Sequence, residues 1–482
     1  MEAVVKKRID AAFSSLIAEQ DRLIRIDNYC RGFHNPPFLP KKSNPEYEDL
    51  AKRSINNLIP LIVDAPVNAM QVEGYVRGKE TKELPTEWED WTVNRLNERQ
   101  SHIHRAALET GHSFVTVLPD KKDAKKPVVR GYHPLRFVAH YEDPAFDEFP
   151  LYALYLEHPN RPLSDSDPLT GFFVDETHVY DVSLTSKATV VSKGRAHGMG
   201  LCPVVRFSTQ LDLLGRSMGL VEPILGTQDR INQVQLSQLV SQHMTSFAIR
   251  WATGLAPVPL LDFNGNEQYD ESGALKVIPP VIDPSTMLVS PDPNTKFGSI
   301  PGSATTDMQD SIEQAIRHMC MVTQTPPTYL LGTQMANLSA DAMASAEVAF
   351  MRRVSEFQSN FGEAWASMFR LCALIRGDKP GFEDTDSIVM WSDRGNRSLA
   401  QAADAGLKLT QMGIPPEIVL RKMPGFSETD IEEAVKLMKE QQEKEAQVAK
   451  DLADQQMAMK VKGAENGDKA PVSNAAAKKP AK

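Results

Sequence analysis

The sequence predicts an α+β fold in which helices and strands occupy separate stretches of the chain. Three observations support this. Apolar residues recur at helical spacing near the N-terminus, residues 113–208 alternate as short antiparallel strands do, and long helical stretches fill most of the second half. The 482 residues, 41% of them hydrophobic, can build more than one core, so two or more structural regions are expected.

The N-terminal third is predicted to consist of helices. The first ends where glycine and prolines follow at residues 32–37. Residues 52–72 and 86–111 indicate two further helices, and Gly111 ends the second of them. The apolar positions of the first helix are Ile9, Phe13, Leu16, Leu23 and Ile24.

Residues 113–208 predict a sheet of antiparallel strands, because Val, Phe and Tyr alternate with polar residues between Pro, Gly and Asp turns. A long helix is expected over residues 217–252, with Pro223 interrupting its start. Residues 228–242 are rich in glutamine and carry two charges, which suits packing against copies of the same chain; packing inside the subunit's own core is the alternative. The candidate contact residues are Gln228, Asp229, Asn232, Gln235, Gln238 and Gln242.

The second half begins with a small strand-rich insert and then returns to helices. Residues 255–302 contain turn signals at Asn264-Gly265 and Ser272-Gly273. A loop is predicted over residues 324–338, where Pro326 and Pro327 exclude a continuous helix. Helices are predicted over residues 305–323 and 339–376, a strand over 387–393 and further helices after 396, and the Ala, Lys and Pro composition from about residue 463 predicts disorder.

Composition and charge exclude several classes of protein. No window has the roughly 18 to 20 apolar residues of a membrane span, and the first residues lack a signal-peptide core. Four cysteines at unpaired spacings predict neither a zinc site nor a disulfide framework. The net charge of -10 argues against a protein that grips nucleic acid, so any DNA partner would be passed rather than held.

Three motifs that resemble functional sites favour plain structural interpretations. Asp262, Asn264 and Asn266 begin like a calcium loop, but Glu267 and Gly273 occupy the positions that need glycine and a bidentate acid, so a hairpin turn is expected. The glycine-rich residues 194–200 lack the Gly-Lys-Ser/Thr ending of a phosphate-binding loop. His102 and His104 are two apart on a helix and point in different directions. No motif of a hydrolase or metalloprotease is present, and we expect neither enzymatic activity nor a cofactor.

Several fragments, in this order, resemble the portal proteins of tailed bacteriophages, particularly long-tailed phages of Gram-positive and actinobacterial hosts. The resemblance covers about residues 5–445. The fragments are Gly215-Arg216-Ser217, Gln228-Asp229-Arg230-Ile231-Asn232, Thr325-Pro326-Pro327, Leu330-Leu331-Gly332, Asn337-Leu338-Ser339 before an Ala- and Glu-rich helix, Met390-Trp391-Ser392-Asp393, and Gly413-Ile414-Pro415.

The resemblance implies a division of the chain into the regions of a portal subunit. These are a wing (1–216), a first stem helix (217–250), a clip (251–303), a second stem helix (304–323), a tunnel loop (324–338), a long helix returning to the wing (339–396), a helical crown (397–460) and a disordered tail (461–482). The tunnel loop would face DNA through Gln324, Thr325, Pro326, Pro327, Gly332, Gln334, Met335 and Asn337.

The resemblance also implies a twelve-fold ring at one capsid vertex that serves as the channel for packaging and ejecting double-stranded DNA. Further implied partners are terminase, the head-tail connector or adaptor, and the major capsid and scaffold proteins, with no membrane. The chain would be found in the virion, and in the host cytoplasm during assembly. The alternative is a non-portal virion or scaffold protein that uses its long helices for protein contacts alone.

Overall fold

A computed structural model describes residues 2–40, 45–78, 87–246, 250–253, 258–270, 272–278, 295–299, 306–332, 340–392, 399–420, 434–441 and 444. The chain divides into two compact units. The larger contains residues 1–71 and 77–388, and the smaller contains residues 72–76 and 389–482. No helix within the described ranges is long and apolar enough to cross a membrane.

Five helices are described before the strand-rich region, within residues 2–40, 45–78 and 87–110, and two of the sequence predictions are wrong about their continuity. The stretch predicted as one helix over residues 52–72 is divided by an irregular segment, and Asn94 and Arg95 divide the one predicted over 86–111. Arg95 has a φ of 54°, a left-handed conformation that a continuous helix cannot contain. The helices are α1 (Glu2–Cys30), α2 (Pro45–Arg53), α3 (Ile59–Ala69), α4 (Glu87–Val93) and α5 (Leu96–Thr110), and Gly111 ends the last as predicted.

The predicted antiparallel strands are confirmed, but they form two sheets rather than one. After β1 (Val72–Val76) come β2 (His112–Pro119), β3 (Pro127–Tyr132), β4 (Phe137–His140), β5 (Tyr152–Leu156), β6 (Leu169–Asp175), β7 (His178–Leu184), β8 (Thr189–Val191), β9 (Arg195–Ala196) and β10 (Val204–Ser208). One sheet has the order β10-β2-β3, and the other has the order β4-β5-β6-β7-β8 with β9 paired to β7. The apolar face of α1 packs against the larger sheet through Ile9 and Leu16, as its periodicity predicts.

The long helix predicted over residues 217–252 is shorter at both ends. A 3-10 turn (Glu222–Ile224) contains Pro223 and leads into α6 (Leu225–Ser246), and residues 250–253 form the strand β11. The insert then contains β11 (Arg250–Thr253), β12 (Val258–Pro259), β13 (Val277–Ile278) and β14 (Lys296–Ser299), with β11 paired to β14 and β12 to β13. The glycines of its two predicted turns, Gly265 and Gly273, have φ values of 84° and 81°.

Helix α9 contributes to an aromatic core with α4, α5 and β10. The helices described after the insert in the larger unit are α7 (Thr306–Thr323), α8 (Pro327–Leu331), α9 (Ala340–Arg376) and α10 (Lys379–Glu383). Trp365 of α9 is fully buried, with its ring centroid 4.9 Å from that of Trp91 and 4.7 Å from that of Phe207. Its Nε1–H donates a hydrogen bond of 2.9 Å to Nε2 of His104, and burial lowers the pKa of His104 to about 3. His104 is therefore a neutral core acceptor.

Among the residues that the structure describes, the smaller unit contains strand β1, its partner β15 (Ile388–Trp391) from Val389 onward, and the helices α11 (Leu399–Gln411) and α12 (Pro416–Leu420). A Cβ on Gly74 would lie 2.7 Å from Cε of Met390, so a larger residue at this position would displace the end of the Met390 side chain. Residues 434–441 are helical. The predicted strand at 387–393 and helices after 396 are thus confirmed where they are described, and the predicted tail from 461 lies outside the described residues.

Candidate functional site

The N-terminal half of α6 is anchored in its own subunit by a buried amide network. Gln228 and Asn232 are both fully buried. The Gln228 side chain accepts from the backbone N–H of Leu58 at 3.3 Å and donates to the backbone carbonyl of Asn56 at 2.7 Å. Asn232 Oδ1 accepts from the backbone N–H of Asn56 and from Gln228 Nε2, both at 3.1 Å. These two amides, which the sequence suggested as contacts between subunits, instead satisfy groups inside one subunit, so for them the alternative interpretation holds.

His34 completes this network, and its surroundings fix its tautomer. His34 Nε2 donates to the backbone carbonyl of Tyr29 at 3.1 Å, because a carbonyl can only accept. Nδ1 therefore accepts, and Asn232 Nδ2 donates to it at 2.9 Å. The Tyr29 ring stacks on His34 at 4.7 Å, and its hydroxyl donates to Asp229 Oδ1 at 2.6 Å. Burial, and to a smaller extent this hydrogen bond, raise the pKa of Tyr29 to about 12. Through the bond to Tyr29, Asp229 also contacts its own subunit.

Farther along α6, the glutamines differ in exposure. Gln238 is buried, Gln235 is half-buried and Gln242 is exposed. Sequence reasoning did not select Gln233, yet its amide accepts from the backbone N–H of Phe38 at 2.7 Å and donates to the Phe38 carbonyl at 3.4 Å. The only sequence signal for Gln233 was its place among the glutamines of residues 228–242, and these glutamines do not show which face of the helix is buried. Subunit contacts through Gln235, Gln238 and Gln242 remain a prediction.

The predicted second stem helix, α7, packs along α6 and buries Ala315, Ile316 and Met319. Near its C-terminal end, Met321 and Val322 are 74% and 51% exposed. The helix ends at Thr323, and the next residue, Gln324, has a left-handed φ of 54°. The chain therefore turns sharply at the first residue of the predicted tunnel loop.

The described part of this loop is more ordered than the sequence predicts. Thr325 and Pro326 are buried, and the Thr325 hydroxyl accepts from that of Thr323 at 3.0 Å. Pro327 begins the short helix α8, so the prediction of a loop without helix is wrong there. The reason is that a first-turn proline lacks only an N–H that the helix does not use.

After α8, Gly332 is exposed, with a φ of 62°. Gln324 is also exposed. Gln334, Met335 and Asn337 lie outside the described residues. The structure therefore places two predicted channel residues, Gln324 and Gly332, at the surface of the subunit, and it encloses Thr325 and Pro326 in the junction between α7 and α8.

The motifs that resembled binding sites serve the fold. Asp262 Oδ1 accepts from the backbone N–H groups of Asn264 and Asn266 at 2.8 and 2.9 Å, so this carboxylate closes a hairpin turn as predicted. Residues 195–196 form β9. Within the described ranges, no group of three or more His, Cys, Asp or Glu side chains is arranged to hold a metal ion.

Comparison with known proteins agrees with the order of motifs. Residues 15–448 match the family described as phage portal protein, SPP1 Gp6-like. The portal protein of Mycobacterium phage D29 is 23% identical over 387 residues, covering 77% of this chain and 76% of the relative. That of Mycobacterium phage L5 is 22% identical over 399 residues, with the same coverage.

Solved structures of gene transfer agent particles are also similar at low identity. One, from the neck of an empty particle, covers 81% of this chain and 99% of its own at 12% identity and a TM-score of 0.41. Another, from the virion of a native particle, covers 80% and 94% at 12% identity and a TM-score of 0.40. The family match extends from α1 to beyond the last described helix, and on that ground the chain belongs to the SPP1 Gp6-like family of phage portal proteins.

Proposed function

We propose that this chain is a portal subunit, twelve copies of which form a closed ring at one capsid vertex. Double-stranded DNA enters the capsid through the ring during packaging and leaves through it during ejection. The observation that carries the proposal is the family match over residues 15–448. The proposed partners are terminase, the head-tail connector, and the capsid and scaffold proteins. Portal proteins are structural, and we assign this chain no catalytic step.

The negative net charge of the chain suits a channel through which DNA moves without binding tightly. Each subunit carries a net charge of -10, so twelve subunits would carry 12 × -10, or about -120. Because DNA binding draws its affinity from cations that replace phosphate counterions, an acidic ring disfavours tight binding. Uncharged residues of the tunnel loop, such as Gln324, would then contact the moving backbone without anchoring a phosphate.

We expect the purified chain to form closed rings. A ring satisfies the contacts of all its subunits through one repeated head-to-tail interface. Electron microscopy is expected to show rings with an axial hole, and sedimentation is expected to show a species near twelve times the subunit mass of 53.5 kDa. Monomers alone at micromolar concentration, across a range of salt concentrations, would contradict the proposal and favour a scaffold protein.

The tunnel-loop assignment predicts a packaging defect without an assembly defect. We expect the double variant Gln334→Lys and Asn337→Lys to form rings but to package less DNA or to package it more slowly, because each lysine can hold a phosphate. The matched control is Gln334→Ser with Asn337→Ser, which adds no charge. DNA per particle and packaging rate are the measurements, and normal values for the lysine variant would show that the loop does not contact DNA.

A further inference from the structure

The turn between β10 and the 3-10 turn displays two leucines to solvent. Leu213 is 82% and Leu214 is 70% exposed. Asp212 makes this turn rigid, because its Oδ1 accepts from the backbone N–H groups of Leu214 and Arg216 at 2.9 and 2.8 Å and its Oδ2 accepts from Arg216 Nε at 2.8 Å. Large apolar side chains held at the tip of a preformed turn mark an interaction surface.

Gly215 joins this turn to a second one. It has a φ of 75°, and a Cβ at this position would lie 2.3 Å from Cβ of Pro144. The second turn, closed by a 2.7 Å hydrogen bond from the backbone N–H of Asp143 to Asp147 Oδ2, exposes 75% of Phe146. Gly215 therefore lets the two turns approach closely, and each of them exposes large apolar side chains. We call Phe146, Leu213 and Leu214 the leucine patch.

An acidic cleft of about 590 Å³ adjoins the leucine patch, and it is lined in part by Ala145 and Leu211 from the same two turns. Arg206 also lines the cleft, and its guanidinium donates a hydrogen bond of 2.6 Å to the backbone carbonyl of Pro144. The acids of the lining are Asp147, Glu148, Glu356 and Glu363, and apart from Glu148, which pairs with Arg370 at 2.7 Å, they form no ion pair with a residue that the structure describes. Three acids of the lining without an ion pair outnumber Arg206, whose charge a carbonyl does not neutralise, so the cleft carries a net negative charge beside apolar groups.

A second surface of the same chain combines exposed aromatic side chains with basic residues. Residues 31–40 follow α1, and we call them the aromatic arm. Phe33 and Phe38 are 62% and 77% exposed, and the bonds from Gln233 to the Phe38 backbone hold the arm on α6. Residues 31–42 contain one arginine and two lysines but no acid. Arg31 lies over the Phe33 ring at 5.2 Å, and its 3.5 Å pair with Asp27 is exposed to solvent and therefore weak.

We propose that the aromatic arm of one copy docks on the leucine patch and acidic cleft of the next copy. This inference rests on the proposed ring. The two surfaces are complementary in charge and both are apolar, and both are held by internal hydrogen bonds, so little conformational entropy is lost when they meet. Because they consist of different residues of one chain, their contact is head-to-tail, which is the kind of contact that closes a ring.

Mixed rings test the contact directly. Subunits carrying Phe38→Cys are assembled with subunits carrying Leu214→Cys and treated with a short bismaleimide. We expect a cross-linked dimer in the mixture and none in rings of either variant alone, because each contact joins residue 38 of one copy to residue 214 of the next. Val190→Cys replaces Leu214→Cys as the control, since Val190 is 56% exposed on β8, outside both surfaces. Rings without this cross-link would overturn the docking contact but leave the portal proposal intact.

A second measurement does not depend on cross-linking. We expect the double variant Leu213→Asp and Leu214→Asp to raise the protein concentration needed for ring formation tenfold or more, because the contact loses both leucines and would bury two carboxylates against the phenylalanines of the arm. Both side chains are exposed, so the unfolding temperature of the subunit should not change, and Val190→Asp should leave ring formation unchanged. If the double variant forms rings at the wild-type concentration but the particles lack tails, the leucine patch binds a tail-side protein and the proposal is wrong.

Discussion

Replacing Trp365 with alanine is expected to lower the free energy of unfolding by about 3–5 kcal/mol. The indole is fully buried between Trp91 and Phe207, so its removal leaves a large cavity in a core built from α4, α5, α9 and β10. The variant also removes the donor to His104 Nε2 and leaves a buried acceptor without that bond. Urea unfolding at one fixed subunit concentration is the measurement, because assembly would otherwise contribute to the apparent stability.

Trp365→Phe separates the two contributions. Phenylalanine keeps most of the aromatic packing but cannot donate to His104, so a loss of about 1–3 kcal/mol is expected. Trp88→Ala is the matched control, because Trp88 stacks on Trp91 at 5.3 Å but is only partly buried, and we expect it to cost less than Trp365→Ala. Equal losses for Trp88→Ala and Trp365→Ala would contradict this account of the core.

Periodicity predicted the elements of the fold well where one face of an element is buried against the rest of the chain. The apolar face of α1 and the alternation through β5, β6 and β7 were both found. The two breaks were missed for different reasons. Arg95 adopts a left-handed φ that its residue type does not predict. Pro60, in the first turn of α3, is typical of a helix start, and the prediction over residues 52–72 did not use that signal.

The sequence could not show which groups the glutamines of α6 contact, because an amide side chain can form hydrogen bonds with a neighbouring subunit or with the backbone of its own subunit. Gln228 and Asn232 meet Asn56 and Leu58, residues about 170 positions away, and no local pattern shows such a contact. For the same reason, the sequence did not indicate the hydrogen bond between Gln233 and the backbone of the aromatic arm. The spacing of His102 and His104 already argued against a metal pair, but only the position of Trp365 shows that His104 is a neutral core acceptor.

Replacing Asn232 with leucine is expected to lower the free energy of unfolding by about 3 kcal/mol or more. Leucine has a similar volume but cannot accept from the Asn56 N–H or from Gln228 Nε2, and it cannot donate to His34 Nδ1. Each buried group left without a partner costs about 1–3 kcal/mol. Because this network anchors the N-terminal half of α6, we also expect fewer closed rings at a given subunit concentration. Gln242→Leu, at an exposed position of the same helix, is the control for stability.

Asn232→Asp distinguishes loss of hydrogen bonds from loss of packing. Its carboxylate can still accept from Asn56 and Gln228, but its second oxygen faces His34 Nδ1, which is itself an acceptor in the neutral tautomer. We therefore expect Asn232→Asp to lower the free energy of unfolding by about 1–3 kcal/mol, because one hydrogen bond of the network is replaced by two acceptors that face each other. Asn232→Leu makes none of the three hydrogen bonds and is expected to lose more. Urea unfolding at one fixed subunit concentration is the measurement, and equal losses in the two variants would show that the hydrogen bonds of position 232 do not stabilise the network.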